Sequence, residues 1–245
     1  MKFNTYYINL EKDKFRNEHM IQELSKTNLT YKRFQGINGA CVNKNSLVQQ
    51  NIISPLCKSY CTNKTIGCGV SHIMLYKHIQ EYDQNDYALI LEDDVIVTNT
   101  RLNYQEETEN IIEKYNREKP TWEIIRLHSM GFGLGSAAAQ IVNLKYIDKF
   151  ASSRLHYHLD IQQSFMCHVI NLNTLFNTKD HEIVYKLPIN NIFFDNQKVG
   201  FYLNNHAFQL FGLMLYFYHV YWFLVLFIMF ESRRIYLKRR NKIPF

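Results

Sequence analysis

The stretch Tyr87-Ala-Leu-Ile-Leu-Glu-Asp-Asp-Val-Ile-Val97 constrains the fold more than any other part of the chain. Residues 88–91 are uniformly apolar. A turn-forming Asp83-Gln-Asn-Asp86 precedes them, and Glu92, Asp93 and Asp94 follow. A short apolar run bounded in this way predicts an inner strand of a parallel sheet, covered on both faces. Unpaired carboxylates are costly to bury, so the acids mark where the strand leaves the sheet. In open α/β sheets that carboxyl edge is where ligands bind. Three adjacent carboxylates there suit a hard divalent cation that also carries phosphate oxygens. The triplet reads equally as a solvated acidic turn.

The flanking sequence supplies the rest of an α/β domain. Residues 2–10 become apolar after Asn4 and predict a first strand. Residues 11–27 place Phe15, Met20, Ile21 and Leu24 at helical spacing. Residues 31–34 predict a second strand, followed by a turn between Gly36 and Gly39. The opening is therefore β-α-β. Residues 40–64 lack a period and predict a surface loop or a short helix. From Thr65 the chain turns helical through Gly67, Gly69, Ser71 and His72. Ser71 is expected near the helix N-terminus, where free N–H groups meet a phosphate; a packing helix fits the same residues. Residues 103–117 predict a polar helix ended by Pro120, and residues 122–127 another inner strand. Gly131, Gly133 and Gly135 mark a mobile loop. Residues 136–144 predict a strand and residues 146–154 a short helix. Residues 156–161, read as extended, put His156, His158 and Asp160 on one face.

At 245 residues, 47% hydrophobic and 20% charged, the chain is globular and large enough for one α/β domain with an appendage. The net charge of +6 belongs mostly to the C-terminus. Arg233, Arg234, Lys238, Arg239, Arg240 and Lys242 face only Glu231 there, which leaves +1 for residues 1–230. Nucleic-acid binding calls for basic residues across a folded face, so no nucleic-acid partner is expected. The five cysteines lack a second pair at zinc-finger spacing and predict free thiols, with a Cys57–Cys61 or Cys41–Cys57 bridge as the other option. Lys2, Asn4 and the charges from Glu11 interrupt any apolar core of a leader peptide.

Residues 199–230 contain no Asp, Glu, Lys or Arg. The 21 residues of 210–230 match the roughly 20 that cross a bilayer, and a basic flank follows directly. Three readings stand. The segment lies in the cytosolic leaflet with its basic tail on headgroups, or it spans the bilayer, or it is a core or dimer helix. The expected organisation is a catalytic domain over 1–200, an apolar membrane-associated helix over 201–232 and a basic tail over 233–245. Residues 207–245 would contact the membrane surface, and the catalytic domain would lie in the cytosol.

Three stretches resemble glycosyltransferase family 25, the lipooligosaccharide galactosyltransferase type also found in collagen-modifying enzymes. They are Tyr7-Ile-Asn-Leu-Glu-Lys-Asp-Lys-Phe-Arg16, Ile66-Gly-Cys-Gly-Val-Ser-His72 and Leu91-Glu-Asp-Asp-Val95, in the family's order and spacing. Arg33-Phe-Gln-Gly-Ile-Asn-Gly39 is similar to a further family segment. The likeness covers residues 3–100 well and extends loosely to 170. It implies a GT-A-like sheet flanked by helices, a UDP-sugar donor, a divalent cation such as Mn2+ and transfer with inversion. On this resemblance Asp94 is a metal ligand, directly or through water, and Asp93 holds ribose or metal. Asn9, Arg16 and Glu92 belong to the donor site, and Ser71 and His72 contact substrate or pack the helix. Inversion needs a general base for the acceptor hydroxyl. Asp160 is the candidate, with His158 as a metal or phosphate partner; a surface acid beside two structural histidines is the alternative.

The function expected from these residues is hexose transfer, of galactose or glucose, to a glycan, glycolipid or glycoprotein acceptor. A second class is an inactive membrane scaffold or sugar-nucleotide-binding protein that kept the fold. Clustered carboxylates weigh against that class, since a scaffold has no use for them. A third class, phosphoryl or nucleotidyl transfer, lacks a Walker lysine loop here.

Overall fold

Strand β1 spans Phe3–Asn9, and its last five residues are buried. Helix α1, Lys14–Leu24, turns Met20 and Leu24 inward one helical turn apart. Strand β2, Tyr31–Gln35, pairs parallel with β1. Two short helices follow, α2 over Lys44–Gln49 and α3 over Pro55–Tyr60. They occupy the stretch whose sequence has no period. Ser54 caps α3 by accepting from Cys57 N at 3.0 Å, and Pro55 stands in its first turn. The computed structural model describes residues 2–128, 136–172, 174–178, 207–210 and 213–216.

Helix α4, Asn63–Tyr82, is capped by Thr62, whose Oγ1 accepts from Thr65 N at 3.1 Å. Strand β3, Tyr87–Glu92, then pairs parallel with β1 on the side away from β2. Strand β4 is Val95–Val97 and helix α5 is Tyr104–Glu118. Asn103 caps α5, and Glu106 and Glu107 in its first turn complement the helix dipole. Then come β5 (Ile124–Arg126), β6 (Ala139–Asn143), α6 (Ile147–Ala151), α7 (Leu159–Met166), β7 (Val169–Asn171) and β8 (Phe176–Thr178). The main sheet has the order β2-β1-β3-β6-β5-β7, with β6 antiparallel to both neighbours. β4 and β8 form a separate antiparallel pair.

Both faces of this sheet are covered, which explains the unbroken apolar run of β3. Leu89 and Leu91 join Met20 and Leu24 of α1 and Ile112 of α5 on one face. Ala88 and Ile90 join Leu75, Tyr76 and Ile79 of α4 and Phe150 of α6 on the other. Each fully buried Leu or Ile of β3 contributes about 1.5–3 kcal/mol. A third cluster binds Ile53 and Cys57 to Ile66 and Val70 of α4 and to Leu155.

Two compact units divide the chain, residues 1–184 and 185–245. The described part of the second is an antiparallel pair, β9 (Ala207–Leu210) with β10 (Leu213–Tyr216). This corrects the expected helix over 201–232 at those residues. Both are paired strands, which satisfy their backbone groups between segments where a helix does so within itself. The remainder of that segment, the basic tail and the three glycines 131, 133 and 135 lie outside the described residues. Among the described residues no helix is long and apolar enough to cross a membrane. All five cysteines are free thiols.

Candidate active site

From β1 the chain passes to β2 on one side and later to β3 on the other. Such a reversal of strand order opens a crevice at the carboxyl ends of β1 and β3. Asn9 ends β1, Glu92 ends β3, and the register sets Ile8 opposite Glu92. Asn9 Nδ2 donates to Asp93 Oδ2 at 2.8 Å, and Arg16 Nη1 of α1 donates to Asp93 Oδ1 at 2.8 Å. Arg33 Nε of β2 donates to Asn9 Oδ1 at 3.1 Å. Asn9 is 1% exposed and Asp93 9%, whereas the Arg16 side chain is 44% exposed. A buried acid is thus fixed by an amide and backed by a cation that still reaches solvent. A cleft of about 710 Å³ beside it is lined by Leu10, Glu11, Gln35, Ile37, Asn38 and Leu47.

The pleat sends the neighbouring acid the other way, since successive strand residues face opposite sides. Glu92 follows Ile90 onto the α4 face. There its Oε1 lies 3.0 Å from His72 Nε2 and 3.6 Å from Cys68 Sγ. Gln140 Nε2 lies 3.4 Å from His72 Nδ1, a pattern that leaves the imidazole proton on Nε2, aimed at Glu92. Burial pushes the Glu92 carboxyl up, but the hydrogen bond and charge of His72, with Cys68 and His158 behind them, hold it below its ordinary value. Burial and then the charges of Glu92, Asp160 and Asp94 push the Cys68 thiol well above its ordinary value.

Helix α7 carries the remaining acid. His158 precedes it and Asp160 sits in its first turn. The expected extended segment over 156–161 is therefore corrected: the chain turns helical at Leu159, and alternate residues no longer share a face. Asp160 Oδ1 accepts from Ala137 N at 2.9 Å, and its Oδ2 lies 3.6 Å from His158 Nδ1. Arg126 of β5, fully buried, ties this turn down. Its Nη2 donates to the Asp160 carbonyl at 2.8 Å and to Gln163 Oε1 at 3.1 Å, and its Nη1 to Ser164 Oγ at 3.0 Å. The charges of Asp160 and Asp94 reach Cys68, and that of His158 reaches Glu92. Carboxylate oxygens with one imidazole are the donor set a divalent cation of the Mg2+ or Mn2+ kind takes. Among the described residues the group of three whose ligand atoms come within 4.8 Å of one another is Cys68, His72 and Glu92; the expected metal ligands Asp94 and His158 are not part of it.

Several expected roles shift. Asp93 has both oxygens engaged by Asn9 and Arg16, apart from the acids on the α4 side. Ser71 is 3% exposed; its hydroxyl donates to Gly67 O at 2.6 Å and accepts from Ile37 N at 2.7 Å. It struts α4 against the loop after β2. His72, 1% exposed, meets Glu92 rather than the open cleft. The glycines do not form a phosphate loop, because α4 begins at Asn63 and holds both Gly67 and Gly69 inside it. Sequence reasoning missed Cys68, Gln140, Arg33 and Arg126. For Arg126 a signal existed: a guanidinium inside an apolar inner strand is too costly without buried partners.

The class that this fold and site define is the glycosyltransferases. The chain belongs to glycosyltransferase family 25 (LPS biosynthesis protein), whose model matches residues 2–147. That segment holds Asn9, Arg16, His72 and the acid triplet, while His158 and Asp160 lie beyond it. The chain is similar to a glycosyltransferase involved in glycosylation of the major capsid of PBCV-1. That match is 8% identical, covers 73% of this chain and 93% of the other, and has a TM-score of 0.41. It is also similar to the glycosyltransferase GlyE of Streptococcus pneumoniae TIGR4, at 13% identity over 75% and 46% of the two chains, TM-score 0.38. A galactosyltransferase, LgtC, in complex with donor and acceptor sugar analogs matches at 10% identity over 69% and 72%, TM-score 0.35. No curated protein matches the chain.

Proposed function

We propose that this enzyme transfers a hexose, galactose or glucose, from a UDP-sugar to a glycan or glycolipid hydroxyl, with inversion and with a divalent cation such as Mn2+. The observation that carries the reading is the division of acids at the β1–β3 crevice. Asp93 is bound to Asn9 and Arg16 on one side. Glu92 turns to His72 and Cys68 on the other.

In this reading the nucleoside occupies the cleft at the ends of β1 and β2. Asn9 and Asp93 orient the ribose, and the solvent-reaching Arg16 meets diphosphate charge. Asp94 and His158 hold the cation, with Asp160 beside them. A divalent cation there supplies Lewis-acid charge to the diphosphate leaving group. Asp160 takes the acceptor hydroxyl proton as the acceptor oxygen bonds to the anomeric carbon and the bond to UDP breaks. Ala137 N and Arg126 fix the Asp160 turn, so the base needs little reorganisation. The apolar residues 210–230 and the basic residues after them support attachment to a membrane surface, where a glycolipid acceptor would lie. With that segment lying in the cytosolic leaflet, the catalytic unit would lie in the cytosol.

Calorimetric titration with UDP-galactose and UDP-glucose, in Mn2+ and then in chelator, tests the reading. Donor binding is expected to require the cation and to disappear in Asp94→Asn. Asp160→Asn is expected to keep donor affinity and to lower turnover by on the order of 100-fold or more. Absence of donor binding under every metal condition overturns the reading and favours the scaffold class.

A further inference from the structure

The thiol beside the acids has no part in the proposed transfer. Cys68 and His72 stand four residues apart on α4, so their side chains share one face. Glu92 comes to that face from the end of β3. Cys68 Sγ lies 3.6 Å from Glu92 Oε1, and His72 Nε2 lies 3.0 Å from the same oxygen. All three ligand atoms lie within 4.8 Å of one another. A tetrahedral Zn2+ with bonds of about 2.3 Å to sulfur and about 2.0–2.2 Å to nitrogen and oxygen has ligand–ligand edges of about 3.3–3.7 Å. The 3.6 Å sulfur–oxygen edge matches, and the 3.0 Å nitrogen–oxygen edge needs to open by a few tenths of an ångström. The Glu92 side chain is 29% exposed, so the fourth corner opens toward solvent.

The surroundings complete the case. A metal-bound imidazole is normally oriented by an acceptor on its other ring nitrogen. Gln140 stands at His72 Nδ1, 3.4 Å away. Gln140 is fully buried, and its Oε1 makes no hydrogen bond among the described residues. A half-turn of that amide presents Oε1 to the Nδ1 proton and leaves Nε2 of His72 free to ligate. Asp94 and Asp160 add negative charge near the thiol. Thiolate with imidazole selects Zn2+ over Mg2+ or Mn2+, which prefer oxygen.

We propose that Cys68, His72 and Glu92 form a Zn2+ site, distinct from the cation that the proposed transfer assigns to Asp94 and His158. On binding, the Cys68 proton leaves to solvent as sulfur takes the metal, and the His72 proton moves to Nδ1. Glu92 is then held against α4.

The test uses the full chain and reads the metal, not sugar transfer, so it stands whether or not the transfer reading holds. Co2+ added to the metal-free protein is expected to give a sulfur-to-cobalt charge-transfer band and strong visible bands of tetrahedral coordination. Equimolar Zn2+ is expected to bleach both, while excess Mg2+ leaves them. Cys68→Ser is expected to remove the charge-transfer band and to weaken Zn2+ by on the order of 100-fold, read by competition with a chromogenic chelator. Cys61→Ser, at a buried cysteine outside the cluster, is expected to keep the band. Glu92→Gln, a near-isosteric change on a different element, is expected to weaken Zn2+ by about 10-fold or more. A wild-type protein without the charge-transfer band overturns the proposal. So does a band that survives in Cys68→Ser, or an unchanged Zn2+ affinity in Glu92→Gln.

Discussion

Adjacent acids at a strand end share a sequence motif but not an environment. Glu92 turns to α4 and Asp93 to Asn9 and Arg16 of α1. The two sides of that pairing have different worth. Arg16 is nearly half exposed, so its bridge to Asp93 stabilises the fold by under about 1 kcal/mol. Arg16→Ala is therefore expected to leave the urea midpoint almost unchanged while lowering UDP-sugar affinity about 10-fold or more, or at least 1.4 kcal/mol. Equal loss in both measurements would make Arg16 a structural residue. A second residue gives a pH signature. Burial, then the charge and hydrogen bond of Asp83, push the Tyr6 hydroxyl from 10.0 up to about 12. The folded chain holds this proton more tightly than the unfolded chain does. The contribution is therefore complete below about pH 10 and is lost as pH rises through about 12. Tyr6→Phe is expected to cost about 1 kcal/mol at neutral pH. Urea unfolding across the alkaline range is expected to show a steeper fall for the wild type than for the variant; parallel profiles would remove Tyr6 as the cause. The acid triplet was legible in sequence as the end of the inner strand β3. Its division was not, because the pleat decides which carboxylate meets which layer only once α1 and α4 occupy opposite faces.

Among the elements, α4 connects packing to the site most directly. Its two glycines were legible as positions of close backbone approach, but their partner was not. An added Cβ at Gly67 would lie 2.7 Å from Gly39 N and 2.8 Å from both Gly39 Cα and Ile37 O. At Gly69 it would lie 2.7 Å from Cδ1 and Cδ2 of Leu155, the free end of a side chain. Both substitutions gain about 1 kcal/mol of helix propensity. Only the first must displace backbone, so Gly67→Ala is expected to destabilise by roughly 2 kcal/mol net and Gly69→Ala by less than about 1. Denaturant titration checks the order of the two, and a milder Gly67→Ala would deny the contact with the loop after β2. Outside residues 40–64, where α2 and α3 lie in a stretch without a period, the main strands and helices through α5 followed from apolar patterning. Segment 156–161 did not. Its alternating residues suit a strand, yet Leu159 is buried and Arg126 seizes the Asp160 carbonyl, which closes a helical turn instead. That tertiary contact comes from a strand residue 34 positions upstream, so no local pattern carries it.

At the scale of the molecule, the chain forms two compact units. Residues 1–184 contain every strand of the six-stranded sheet, both helical layers and all the site residues named above. Their net charge is small, since the basic excess sits in residues 231–245. Composition sets the apolar and basic stretches apart from the periodic domain, with an expected boundary at residue 200, whereas the compact units meet at 184. Composition could not show the β9–β10 pairing inside the apolar stretch, where a long run without charges reads as helix or strand alike. If the second unit serves only as attachment, a chain ending at residue 184 is expected to keep its far-ultraviolet circular dichroism and its UDP-sugar affinity. It is also expected to stop sedimenting with vesicles that contain anionic lipid. Each of the six basic residues contributes about 1 kcal/mol at such a surface. Added salt is therefore expected to weaken sedimentation of the full chain, and the apolar residues to hold a salt-resistant remainder. Three outcomes are separable by these readings. Sedimentation that survives truncation moves the membrane contact to the first unit. Loss of donor affinity with the fold intact makes the second unit part of the site. Loss of the fold itself makes residues 185–245 core and removes the attachment reading.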